Sequence, residues 1–327
     1  MNNNVGPERT LTAAEIDDIR QECWRLMGEE KYNQAEVAKL SGIAYGTVTG
    51  FLAGTYAGNN SKVAHKVRVW LDSHTKQSEV RLTVPEMPGY LETPSARAFC
   101  ATLQLAQIMS DIGVIVGGAG IGKTLSAREY AARNSNVWVV TMDPSSCSKQ
   151  RSLRKIARVL RVDIRGSDDS LADQIAERIT GIGGLLVIDE AQHLVADALD
   201  QVRSIWDQTS ETCGIAIIGN ESAYKRIEGG RTEKFAQIHS RFGDRIIQAK
   251  PRKGDVDVLI DAWGVTDPEE VRLLSMIARK PGALRVMSKT LRLAGILASG
   301  GGEPRNMRHL QAAYERLSSS DIGGLHA

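Results

Sequence analysis

The chain of 327 residues has little that would place it in a membrane, a secretory pathway or a metal-binding class. No apolar run approaches the roughly 20 residues needed to span a bilayer. The stretch MNNNVGPERT is polar, without the apolar centre of a signal peptide. Cysteines number four (Cys23, Cys100, Cys147 and Cys213) and are scattered, with no CxxC pair. The six histidines form no HExxH pair. Reduced thiols in a cytoplasmic protein are therefore expected, with neither a disulfide framework nor a zinc site. Charge of one sign is also missing: 41 Lys and Arg stand against 39 Asp and Glu, a formal +2. Net charge is thus silent on partners, and local charge must be read instead. Repeats at solenoid periods are absent.

What is present falls into segments. TAAEIDDIRQECWRLM places Ile16, Ile19, Cys23, Leu26 and Met27 on one helical face, and short helices are expected to about residue 76. TVPEMPGYLETP holds three of the nine prolines and reads as a linker. From Ser95 to Gln248 helical stretches alternate with the apolar runs VIVG, VWVVTM, LLVIDE and IAIIGN. Short Val- and Ile-rich runs of this kind suit parallel strands buried on both faces. After Pro251 four helices are expected, one opening at Asp267-Pro268. The expected division is 1–80, a linker at 81–94, an α/β core at 95–250 and a helical domain at 251–327.

GGAGIGKT, Gly117 to Thr124, fits G-x-x-x-x-G-K-[ST] between a strand pattern, DIGVIV, and a helix pattern, KTLSAREYAAR. Glycines let successive backbone N–H groups curl toward phosphate oxygens, and a helix N-terminus adds its positive end. Gly117, Gly118, Ala119, Gly120, Ile121, Gly122, Lys123, Thr124 and Leu125 are the expected nucleotide contacts. Lys123 reaches the β- and γ-phosphates in this scheme, and the Thr124 hydroxyl binds Mg²⁺.

GGLLVIDEAQHL supplies the second element, an apolar strand ending in Asp189 and Glu190. Asp189 is expected to hold Mg²⁺, and Glu190 to orient and deprotonate the attacking water. A third strand end carries Asn220, whose amide suits the γ-phosphate or that water; an ordinary turn asparagine is the competing view. SRFGDR brings Arg241 and Arg245, and GALR brings Arg285. A guanidinium neutralises charge on a transferring phosphoryl group and is often supplied by a neighbouring subunit. A plain surface or salt-bridging role competes for each of these arginines.

In order, GGAGIGKT, LLVIDE, IIGN, the arginine of SRF and GALR in the helical segment resemble the AAA+ ATPases over about Ser95 to Leu317. The resemblance implies a P-loop core with a parallel sheet and a helical lid. ATP would lie between subunits, with Arg241 acting in trans and Arg285 from the lid. DEAQHL is similar to the branch used by transposition ATPases.

NQAEVAKLSGIAYGTVTGFLAGT, Asn33 to Thr55, looks like a helix-turn-helix of the phage-repressor type. Val37, Ala38, Ile43, Val48 and Phe51 fix the two helices, Gly42 makes the turn, and Asn33 with Glu36 is spaced as a capping pair. Tyr45, Gly46, Thr47 and Thr49 are expected on the exposed face. No Arg, Asn or Gln lies between Ile43 and Thr55, which suits binding with little sequence preference. A second basic run, SKQRSLRKIARVLRVDIR, carries Lys149, Arg151, Arg154, Lys155, Arg158, Arg161 and Arg165. Lys149, Arg151, Arg154 and Lys155 crowd the helix start, where the helix dipole disfavours them, and a DNA backbone is the expected partner.

Helix-turn-helix, AAA+ core with DEAQ and basic helical C-terminus together resemble the target-selection ATPases of transposing phages. That resemblance implies an ATP-bound homo-oligomer or filament on double-stranded DNA, delivery of target DNA to a DDE transposase, and residence in the host cytoplasm. A nucleotide-gated helix-turn-helix regulator and a helicase loader remain alternatives.

Overall fold

The computed structural model describes residues 9–83, 86–164, 168–209, 212–223 and 242–318, and the chain divides into two units, 1–85 and 86–327.

In the first unit, local signals start and stop each helix. Thr12 and Glu15 form a capping box at the start of α1 (Ala13–Glu30). Asn33 and Glu36 do the same for α2 (Gln34–Ser41), so that the expected capping pair is present. Such caps are each worth about 1 kcal/mol. Gly42, at φ +68°, turns the chain in the left-handed region into α3 (Tyr45–Leu52), and α4 (Asn60–Thr83) follows. Ile16, Ile19, Cys23, Met27, Val37, Val48, Phe51, Val67 and Leu71 close one core. Arg20 supports it from the rim: its Nε donates to the Phe51 carbonyl at 2.7 Å, and the guanidinium lies 4.9 Å from the Phe51 ring centre. That adds a cation–π contact to a hydrogen bond.

The second unit begins with α5 (Pro94–Met109), capped by Thr93 and opened by a proline at its first turn. Five strands follow: β1 (Ile112–Gly117), β2 (Val137–Thr141), β3 (Gly184–Asp189), β4 (Cys213–Gly219) and β5 (Phe242–Gln248). All pair in parallel, in the order β2-β3-β4-β1-β5. Between them run α6 (Lys123–Arg133), α7 (Lys149–Leu160), α8 (Asp168–Ile179) and α9 (Ala196–Thr209). Alternate strand residues enter different cores. Val114, Val116, Leu186, Ile188, Ile215 and Ile217 pack with α7, α8 and α9. Ile115, Leu185, Val187, Ala216 and Ile218 pack with Phe99, Leu103, Ala127 and Tyr130 of α5 and α6. Every residue of β1, β3 and β4 is buried, which is why they read as unbroken apolar runs.

The fifth strand falls inside the expected α/β region but is not among the four apolar runs named from the sequence, the last of which is IAIIGN. It lies at the sheet edge, where Gly243, Arg245 and Ile247 are exposed while Asp244, Ile246 and Gln248 are half-buried. Exposure on one side removes the hydrophobic signal at every second position. Asp244 is held inward by the Thr102 hydroxyl, which donates to it at 2.6 Å.

The helical C-terminal segment comprises α10 (Asp255–Ala262), α11 (Pro268–Ala278), α12 (Ala283–Gly300) and α13 (Met307–Ser318). Asp267 caps α11, its carboxylate accepting from the N–H groups of Glu269 at 2.7 Å and Glu270 at 3.1 Å. Leu259, Leu274, Ile277, Met287, Leu291 and Leu310 form its core.

Candidate nucleotide site

The loop between β1 and α6 is shaped by what glycine alone permits. Gly120 and Gly122 have φ of +80° and +98°, in the left-handed region. A Cβ on Gly117 would stand 2.3 Å from the Gln248 carbonyl oxygen, and one on Gly118 2.2 Å from that of Ala249. The Gly118 N–H donates to the Gln248 carbonyl at 3.1 Å, so the loop leans directly on the end of β5. Gly122 caps α6 with no side-chain hydrogen bond. The first N–H groups of α6 are therefore left to whatever fills the cavity in front of them, the arrangement that suits an anion.

That cavity measures about 530 Å³, a size suited to a nucleotide-scale ligand. Gly117, Ala119, Gly120, Ile121, Gly122, Lys123, Thr124 and Leu125 line it, together with Asp189, Glu190, Asn220 and Arg285. The structure thus gathers residues from four separate stretches of sequence into one place. Lys123 Nζ donates to the carbonyls of Gly117 at 2.8 Å and Gly118 at 2.7 Å. Burial lowers its pKa, opposed by the nearby Glu190 and Asp189 carboxylates and reinforced by the Arg285 guanidinium. The Thr124 hydroxyl donates to Asp189 Oδ2 at 2.9 Å. Asp189 is only 1% exposed, and burial raises its pKa against the lowering effect of the Thr124 hydrogen bond. Two hard oxygen donors side by side, with a lysine nearby, form a set that fits Mg²⁺ beside a phosphate chain.

Glu190 follows at φ +55°, a left-handed backbone that costs about 1 kcal/mol or more for a non-glycine residue. Gln192 bridges it to the next strand. Its Nε2 donates to the Glu190 carboxylate, while its Oε1 accepts from the Asn220 N–H at 3.3 Å. The Asn220 side-chain oxygen accepts from the Ser222 N–H at 2.9 Å, the Ser222 hydroxyl at 2.7 Å and the Ala223 N–H at 3.2 Å. That oxygen is engaged in a local turn, which leaves the amide NH₂ as the group for the cavity. Arg285 sits in the first turn of α12, where a Cβ on Gly120 would stand 2.0 Å from the Gly282 carbonyl oxygen and 3.1 Å from Arg285 Cβ. Arg245 lies elsewhere, exposed on β5 opposite Val114. Arg241 falls outside the described residues.

Sequence reasoning missed the apolar part of the cavity lining. Met87, Pro88, Tyr90, Leu91, Leu259 and Trp263 line the same cavity as the glycine loop. Four of these lie in the stretch read only as a linker, and an apolar residue flanked by prolines gives no periodic signal.

The second basic segment is split by the fold. Leu153, Ile156, Ala157 and Leu160 are buried, while Arg151, Arg154, Arg158 and Arg161 are exposed on the opposite side of α7 or just beyond it. Lys149 is half-buried, and Lys155 is ion-paired with Asp143. Hydrogen bonding from Lys155 and Ser145 holds the Asp143 carboxyl well below the usual carboxylate range. Arg165 lies outside the described residues. In the first unit, Tyr45 and Gly46 are exposed as expected. Thr47 and Thr49 are half-buried, and the Thr49 hydroxyl is sealed from solvent without a hydrogen-bond partner. The expected four-residue exposed face is therefore corrected to its first two members: Thr49 lies where α3 turns inward beside buried Val48.

Sheet order, glycine loop, strand-end carboxylates and helical lid define a P-loop ATPase of the AAA class. Residues 109–227 match the AAA domain family, and residues 240–317 match the family described as Mu B transposition protein, C terminal. Over 304 residues the chain is 35% identical to the ATP-dependent target DNA activator B of Escherichia phage Mu, covering 92% of this chain and 96% of that one. It is 31% identical over 268 residues to the Mu-like prophage FluMu DNA transposition protein B of Haemophilus influenzae, covering 81% and 92% respectively. The chain belongs to the Mu B transposition protein family. Among solved structures, the ADP form of the Aeropyrum pernix ORC2 protein shares its fold, with a TM-score of 0.52, 18% identity and 70% of each chain covered. No helix among the described residues is long and apolar enough to cross a membrane.

Proposed function

We propose that this protein is an ATP-dependent target-DNA activator that assembles on double-stranded DNA and presents it to a transposase. The observation that carries the reading is the convergence of Lys123, Thr124, Asp189, Glu190 and Arg285 on one cavity, in a chain whose relative is named an ATP-dependent target DNA activator. Lys123 leaves the Gly117 and Gly118 carbonyls to bind the β- and γ-phosphates of ATP, and the α6 N-terminus completes the cradle. Thr124 and Asp189 hold Mg²⁺, which neutralises phosphate charge when bound. Glu190, oriented through Gln192, accepts a proton from the water that attacks the γ-phosphorus, and the bond to the β-phosphate oxygen breaks. The Asn220 amide NH₂ orients that water or the γ-phosphate. Arg285 stabilises the transferring group from the lid, and Arg241 does so from the neighbouring protomer.

A nucleotide shared in this way makes assembly depend on ATP. Assembly then gathers many weak phosphate contacts on one duplex, from exposed Arg151 and Arg154 with half-buried Lys149 beside them, and from exposed Tyr45 on the first unit's helix-turn-helix. No Arg, Asn or Gln lies between Ile43 and Thr55, so sequence preference from the helix-turn-helix is weak. Electron microscopy of purified protein with duplex DNA and a slowly hydrolysed ATP analogue tests the reading. Continuous coats on DNA of unrelated sequence support it; isolated particles at one locus would favour a sequence-specific regulator instead.

A further inference from the structure

The lid meets the core through a buried polar cluster whose parts come from three places in the chain. Asp255, the first residue of α10, and Ser95, in the first turn of α5, are both fully buried. The Asp255 carboxylate accepts from the Ser95 N–H at 2.8 Å, from the Ser95 hydroxyl, and from the Arg252 N–H at 2.6 Å. None of these three donors carries a formal charge, so among the described residues the carboxylate is held by dipoles, an arrangement that tolerates little displacement. Gln248, the last residue of β5, extends the cluster. Its Nε2 donates to Ser95 Oγ at 2.6 Å, and its Oε1 accepts from Arg252 Nε at 2.9 Å. The backbone carbonyl of the same Gln248 accepts from Gly118 of the glycine loop at 3.1 Å. One residue therefore touches the phosphate loop with its main chain and the root of the lid with its side chain. At the start of α12, midway along the lid, the Gly282 carbonyl and Arg285 pack closely on Gly120 of that loop.

We infer that Asp255, Ser95 and Gln248 form a pin that sets the attitude of the lid, and that Asp255 and Gln248 are positioning residues acting through Arg285. This inference rests on the reading of the cavity as an ATP site. The loop is gripped at Gly118 by the pinned end of β5 and at Gly120 by the lid. A loop that shifts when the triphosphate arrives or its γ-phosphate departs thus moves against a lid whose root is fixed, and Arg285 is carried toward or away from the phosphates. Without the pin the lid still folds on its own apolar core of Leu274, Met287, Leu291 and Leu310, but no longer holds Arg285 in register. Misplacement of a stabilising group by about 1 Å costs up to about 10²-fold in rate.

The test is a double-mutant cycle in the full-length protein. Asp255→Asn replaces one carboxylate oxygen with an NH₂ that faces donors, and Gln248→Leu removes the side-chain links while keeping the backbone carbonyl. Each is measured alone and combined with Arg285→Ala, with kcat expressed per ATP-binding site titrated. Loss of kcat on the order of tenfold or more is expected for each single variant, with KM for ATP held within about threefold. Adding either to Arg285→Ala should cost nothing further. Losses that multiply, or a wild-type kcat in folded Gln248→Leu protein, would overturn the pin. A Lys123→Ala protein that binds ATP as wild type does would instead overturn the site reading, whatever the cycle shows.

Discussion

Gly120 occupies a variable position of the glycine-loop pattern, yet the fold demands glycine there for two reasons of different kind. Its φ of +80° is unfavourable for any residue with a Cβ, at about 1–2 kcal/mol. That Cβ would also stand 2.0 Å from the Gly282 carbonyl oxygen, against a floor of about 3.0 Å for real contacts, so loop and lid must part by at least 3.0 − 2.0 = 1.0 Å. Because Arg285 Cβ is 3.1 Å from the same point, the separation moves Arg285 off the phosphates. Gly120→Ala is therefore expected to lower stability by about 1–2 kcal/mol through strain alone, and to cut kcat on the order of 10²-fold by displacing a stabilising charge. Gly181→Ala is the control. Gly181 has φ +79° with open space where its Cβ would lie, so it should show the stability loss with kcat unchanged. Denaturant unfolding and steady-state phosphate release measure both quantities. Equal kcat in the two variants would refute the close approach of lid and loop as the cause.

Glu190→Gln should bind ATP and remain on DNA while phosphate release falls on the order of 10²–10⁴-fold; filter binding with and without a chase of competitor DNA reads the trapped state. Asp189→Asn should raise the unfolding temperature of nucleotide-free protein at neutral pH while abolishing hydrolysis. Burial raises the Asp189 pKa, so the folded state binds the extra proton, and stability falls as pH rises from the unfolded value of 3.8 through the folded one. Unfolding curves across that window should diverge between wild type and Asp189→Asn on the alkaline side, and parallel curves would contradict the assignment. Burial pushes the Cys23 and Cys213 thiols up to about 11 and about 12, so both should resist alkylation at pH 8 until the chain is unfolded. Mass spectrometry of native and denatured samples decides this.

The buried parts of the fold were the legible ones. β1, β3 and β4 are enclosed on both faces, so the core wrote itself into continuous Val and Ile runs, and the glycine loop between β1 and α6 combines a spacing with a backbone geometry that few sequences satisfy. β5 was hidden because an edge strand needs apolar residues on one side only, and Asp244 takes one inward position by pairing with Thr102. The apolar part of the cavity lining was hidden for another reason: Met87, Tyr90 and Trp263 are brought to one cavity from segments far apart in sequence, which no local period records. Thr49 and Lys155 show the same limit from the polar side. Composition suggested exposed contacts, while the fold seals the Thr49 hydroxyl and gives Lys155 to Asp143.

The central proposal is that adjacent protomers complete one another's ATP site. Phosphate release per protomer, measured on duplex DNA across a hundredfold range of protein concentration alongside sedimentation of the same samples, tests it most directly. The account predicts that specific activity rises in step with the assembled fraction and that both are lost in Lys123→Ala. Full specific activity from a species that sediments as a monomer would contradict it.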